Sequence, residues 1–173
     1  MREHSNHADE KLQEIGLGIE RREGESTARY LRRLEESGKY LFHGSEQHIL
    51  ELEPRNPETD ATDEAENKLL AVYAYDAAAL AVQRAIAHRS GVEDWEIIGG
   101  TDPKHPETPL LITSQNIPIG SGYLHVLSRD HFRHTVGYQW VSESAVRPLN
   151  VIDVDPSVYA ELGGVHRYTN ETE

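Results

Sequence analysis

The sequence predicts an α+β fold, and three observations carry that prediction. Short strand-like runs flank one well-formed helix, and strands alone follow it, unlike the regular alternation of a doubly wound parallel sheet. No Gly-rich phosphate loop of the dinucleotide or nucleoside-triphosphate kind opens a strand–helix unit, since GLGIE at 16–20 lacks both a preceding strand and a third glycine. The 173 residues fit one domain large enough to bury a core without cross-links. The expected organisation is a helical segment over 1–38 and a main domain over 39–173.

The first segment, from about Ala8 to Ser37, reads as two helices. Leu12, Ile15 and Ile19 recur at helical spacing. ESTARYLRRLEESGK then offers Ser26 or Thr27 as N-cap, Leu31 and Leu34 on one face, and Gly38 as the stop. Together they suggest a lid or brace, with Arg29, Arg32 and Arg33 solvated and paired with Glu35 and Glu36. KYLFH reads as a strand, HILELEP as a turn and a short extended piece, and the acidic stretch 54–67 as a loop. LLAVYAY is a second strand. DAAALAVQRAIAHRSG is the clearest helix, with Asp76 as its expected cap and Gly91 just past its end. WEIIGG, PLLITSQ, GYLHVLSR, YQWVS and LNVIDVD follow as short strands. SVYAEL suggests one helical turn, and the last residues a frayed end.

Composition narrows the function. Without cysteine there are no disulfides, thiolate metal sites or cysteine nucleophiles. The net charge of −13 argues against general nucleic-acid binding, which needs clustered Lys and Arg, but not against a local basic pocket for a phosphate-bearing molecule. The 4 Lys against 13 Arg suit either a protein of concentrated salt or an ordinary acidic protein. No apolar run is long enough to cross a bilayer and MREHSNHADEKLQE has no apolar signal segment, so a cytoplasmic protein without a membrane partner is expected.

Three motifs stand in order along the chain: a strand ending in His43-Gly44-Ser45, a strand VYAYD running into the Ala-rich helix, and the late strand YQWVS. In this order they resemble the ADP-ribosyltransferase superfamily, specifically its His-Tyr-Glu branch of diphtheria-toxin-like and poly(ADP-ribose)-polymerase-like enzymes. The resemblance runs from Lys39 to Pro156. It implies a split β-sheet core that binds NAD between two small sheets. His43 would contact an adenosine-ribose hydroxyl, Gly44 would let the main chain approach the nicotinamide amide, Ser45 would support that end, and Tyr73 would stack on the ring. Where the branch carries glutamate, this chain has Gln139. An amide holds a hydroxyl but carries no charge and takes no proton, so transfer should be slow, restricted or absent. Glu143 lies on the same strand face by period two and would substitute only if register or a bulge turned it inward. The chemistry implied is mono-ADP-ribosyl transfer or NAD cleavage, the acceptor being an unknown protein or nucleic acid. The alternative is an inactive NAD- or ADP-ribose-binding or protein-interaction module.

Blander readings stand beside these. Without the later motifs, His43 is a satisfied histidine at a strand end and Gly44 the freedom of a turn. Tyr73 and Tyr75 are expected on opposite faces, one serving the site and the other packing, and Trp140 is expected in the core. Arg55 could neutralise a pyrophosphate or form a surface salt bridge. His125, His131 and His134 lack an HExxH spacing and are expected to be exposed rather than metal ligands. No GxSxG elbow supports a serine nucleophile.

Overall fold

The structure, a computed structural model, describes residues 18–56 and 69–170. The helix expected around Leu12 and most of the acidic 54–67 loop lie outside the described residues. The mixed helix-and-sheet class is as expected. In chain order the elements are α1 (Thr27–Ser37), β1 (Tyr40–Ser45), β2 (Val72–Tyr75), α2 (Ala78–Ile86), β3 (Ile97–Ile98), β4 (Thr101–Asp102) and β5 (His105–Thr113). They continue with β6 (Gly122–Ser128), β7 (Arg133–His134), β8 (Gln139–Ser142), β9 (Asn150–Val154), α3 (Pro156–Glu161) and β10 (Val165–Tyr168).

Six strands form an antiparallel sheet in the order β7-β8-β2-β1-β6-β9. A smaller sheet runs β10-β5-β3, with β4 also paired to β5. The tail expected to fray instead supplies β10, parallel to β5 from Val165↔Leu110 to Tyr168↔Thr113.

The large sheet is buried on both faces, which is why YLF reads as an unbroken apolar run. Tyr40, Phe42, Leu124, Val126 and Ile152 face one core with α1, α2 and α3. Leu41, Val72, Ala74 and Leu127 face a second core closed by Leu52 and Val146. α1 is no lid, because Tyr30, Leu31 and Leu34 are among the most buried residues of the first core. Ser26 caps it by accepting from Arg29 N–H, and Gly38 ends it at φ +69.

Three local expectations change. Arg33 pairs with Glu25 rather than with its own helix, at 2.9 Å, and Arg32 donates to the Glu161 carbonyl at 2.7 Å. Glu35 reaches away from α1 and accepts from Ala78 N–H at 3.2 Å, capping α2. The expected cap, Asp76, stands one residue too early: Ala77 is the N-cap, and the Asp76 carboxylate accepts from the Trp140 indole at 3.0 Å. Fully buried Gln83 joins α2 to the smaller sheet, exchanging bonds with both backbone groups of Gly100 and donating to Tyr159 Oη, so this buried amide is satisfied.

Candidate functional site

β1 joins its two neighbours unequally. Against β6 it pairs over six residues, from Tyr40↔Ser128 to Ser45↔Tyr123. Against β2 it is in register only at Phe42↔Tyr75. Beyond that point the strands part, and the residues along the opening are His43, Gly44 and Ser45.

His43 spans the gap. Its Nδ1 lies 2.7 Å from the Tyr73 carbonyl, an acceptor only, so Nδ1 carries the proton. Burial pushes the ring's pKa down; the bond to Tyr73 opposes this, and the positive charges of Arg84 and Arg55 add to the lowering. A neutral ring protonated on Nδ1 presents Nε2 as a hydrogen-bond acceptor, and Nε2 has no partner among the described residues. Such a nitrogen can accept a hydrogen bond from a hydroxyl.

Behind it sits His125, directly across from His43 on β6. It was expected at the surface but is fully buried. Its Nδ1 donates to the His43 carbonyl at 3.1 Å and its Nε2 accepts from Ile49 N–H at 3.0 Å. Burial lowers its pKa to about 4, the bond to the His43 carbonyl opposing this and the His43 and His48 rings adding to it. The signal available in the sequence was its place in an unbroken apolar strand.

Gly44 has a packing role that a turn does not explain, for it is not among the residues at positive φ. A Cβ there would lie 1.8 Å from Ala81 O and 2.9 Å from Ala85 N, and one at Gly122 would lie 2.1 Å from Ala85 O. These two glycines let α2 settle onto the sheet. The missing Cβ thus makes room for a helix, leaving only the strand edge toward β2 for any other molecule. Ser45 Oγ accepts from Gln47 N–H at 3.1 Å and fixes the turn after β1.

Tyr73 and Tyr75 share one face, contrary to expectation, because residues two apart on a strand point the same way. Val72 and Ala74 take the other face and are buried there. Tyr73 Oη donates to the Leu69 carbonyl at 2.7 Å, and its ring is half-buried. Arg55 is held beside β2 by its bridge to Ala71.

Gln139 pairs with Tyr75, and by alternation both belong with Phe42 on the α2 face, whereas His43 lies on the opposite one. Its amide donates to Thr135 Oγ1 at 3.3 Å. Glu143 is exposed in a bend after β8 has ended at Ser142, so the structure does not turn it inward beside Gln139. Trp140 packs half-buried against the second core. His131 and His134 are exposed and apart from His125, and no metal-binding group of three or more His, Cys, Asp or Glu occurs among the described residues.

No family model, curated protein or solved structure matches this chain. Two open hollows lie along β9, one lined by Tyr123, Asp153 and Asp155 and the other by Arg21, Tyr30 and Asn150. Neither is lined by His43 or Tyr73, and the carboxylates of the first suit an anion poorly. No helix of the described residues is long and apolar enough to cross a membrane.

Proposed function

We propose that this chain is an NAD-binding protein of ADP-ribosyltransferase type that takes the dinucleotide at the parted β1–β2 edge. The observation that carries the reading is His43, locked by the Tyr73 carbonyl into the tautomer whose Nε2 accepts from a hydroxyl. Gly44 and Ser45 form the strand edge, Arg55 supplies positive charge for a pyrophosphate, and Tyr73 contributes its carbonyl, its ring lying on the opposite face from His43. The reaction would break the bond between nicotinamide and the ribose carbon and pass that carbon to water or to the nucleophile of a protein or nucleic-acid acceptor. Its transition state is oxocarbenium-like and gains most from a nearby carboxylate.

That carboxylate favours a second reading. Gln139 has only an amide, and Glu143 lies outside the strand, exposed. A binding module that senses NAD or ADP-ribose without cleaving it fits these two residues. Calorimetric titration with NAD tests the shared part: wild type should bind, and His43→Ala should lose most of the affinity. No heat at millimolar NAD, or equal affinity in the variant, sinks it. Nicotinamide release then separates enzyme from module: release by wild type supports the enzyme, and NAD binding without release supports the module.

A further inference from the structure

We infer that His125 is an acid-operated clip: a proton added to its ring releases residues 48–51, part of the loop that leaves β1 at Ser45 and crosses the sheet face away from α2. The clip does not depend on what the neighbouring edge binds.

Both ring nitrogens are committed. Nδ1 donates to the His43 carbonyl at 3.1 Å, and Nε2 accepts from Ile49 N–H at 3.0 Å. Only a neutral ring serves both, since the carbonyl needs a donor and the N–H needs a lone pair. An imidazolium has two donors and no acceptor, so no orientation of the charged ring holds the Ile49 N–H. The ring stays where it is, because β6 is paired over six residues with β1 and over five with β9. The loop is what moves.

That loop hangs on this bond. Among the described residues it is the only hydrogen bond that residues 48–51 make. The chain is fixed on either side, by Gln47 N–H on Ser45 Oγ at 3.1 Å and by Leu52, which exchanges backbone bonds with Val146 at 2.8 and 2.9 Å. Between those anchors Ile49 is only partly buried against the second core, and Leu50 is 81% exposed. Glu51 meets Arg147 at 3.9 Å, both of them exposed to solvent. A segment with so few buried contacts opens locally at far lower cost than the sheet unfolds.

The groups around the ring do not welcome a charge. From β1 the His43 ring stands 5.8 Å away, and from the loop the His48 ring 6.4 Å away, each edge-on. A charge on either opposes one on His125. On β6 the neighbours on this face are Leu127 and Tyr123, and the Tyr123 ring is met by His48 at 5.4 Å. β9 sets Val151 opposite His125, with exposed Asp153 one position further along that face, and β2 turns Val72 and Ala74 toward it. Closed, the ring keeps its pKa at about 4; opened to water it returns toward 6.5, so acidification between these values favours the open loop.

Amide hydrogen exchange followed by NMR at pH 7, 6 and 5, with each rate divided by its intrinsic value, tests the clip. Protection of the Ile49 amide should fall about tenfold or more from pH 7 to pH 5, while the amides of β1 and β6 keep theirs. In His125→Gln, whose side chain still donates to one partner and accepts from the other, Ile49 protection should not vary with pH. Equal Ile49 protection at pH 7 and pH 5 in wild type overturns the inference, as does a fall in His125→Gln as large as in wild type. Strand amides that lose protection in step with Ile49 also overturn it, because acid is then unfolding the sheet rather than opening the loop. If His125→Gln does not fold, wild type decides alone, through the contrast between Ile49 and the strand amides and through the ring itself. NMR of the ring nitrogens should find the proton on Nδ1 at pH 7, and a proton on Nε2 instead leaves Ile49 N–H without its acceptor and the clip without its basis.

Discussion

The two sides of β1 are built for different ends. Toward β6 the strand is zipped along its whole length, with α2 pressed onto Gly44 and Gly122 so closely that neither position admits a methyl group. Toward β2 one residue pair holds, and a histidine side chain bridges what backbone hydrogen bonds would otherwise close. Close packing leaves no volume for a ligand; parted strands leave unpaired edge groups that attract one. One strand is therefore foundation on one side and the proposed binding edge on the other, with Gly44 serving the first and His43 the second.

The sharpest way to break this contrast is to put the same substitution on each side. Gly44→Ala drives a Cβ into the Ala81 carbonyl, a backbone atom that only moves if α2 moves. A cost of about 3 kcal/mol is expected, near the upper end for overpacking. His43→Ala removes a half-buried ring and one bond to a carbonyl, so about 1 kcal/mol is expected. Urea unfolding of the two variants measures the difference. Equal losses would mean that the parted edge carries as much structure as the packed one.

Acid sharpens the comparison on the face away from α2. His125 is neutral in the folded protein, its pKa down at about 4 against an ordinary 6.5. Between those values the unfolded chain binds the proton and the folded one does not, so stability is full above about pH 6.5 and declines as pH falls toward 4. At about 1.4 kcal/mol per pH unit the ceiling is on the order of 3 kcal/mol. His43, lowered for the same first reason of burial, adds in the same direction. His125→Gln keeps a donor and an acceptor without the titration, and its melting temperature should fall less than that of wild type between pH 7 and pH 4.5. Parallel curves would show that the buried imidazole is not what acid attacks.

Much of this was legible in the sequence wherever pattern is local. The major strands and α2 follow period and composition, and Ser26 and Gly38 bound α1 as their residue types demand. What escaped depends on distant partners. VHRY looks like a loose tail until β5 pairs with it, and β7 is two residues that mean nothing apart from β8. Gly44 invites a turn reading because its neighbour 37 positions on, Ala81, is not visible in the local string. His43 and Tyr73 stood out by motif, but the bond between them joins a side chain to a carbonyl, which no motif encodes.

Glu35 gives the smallest effect and the opposite sign. Burial raises its pKa and the nearby Asp76 and Glu36 charges raise it further, while the bond from Ala78 N–H lowers it. Because the folded value lies above the ordinary 4.5, its contribution is greatest below that pH and declines as the carboxyl ionises in the folded protein. Ionised Glu35 nevertheless remains the cap of α2, since Ala77 has no side chain for that task. Two substitutions separate cap from charge. Glu35→Ala should cost about 1 kcal/mol at pH 7 by leaving the first N–H of α2 without its acceptor. Glu35→Gln keeps an acceptor oxygen and removes the repulsion from Asp76 and Glu36, so it should stay within about 0.5 kcal/mol of wild type. Thermal melts at pH 7 suffice. A Gln variant as damaged as the Ala variant would mean that α2 needs the negative charge at its N-terminus, and that the helix dipole outweighs the cost of burying it.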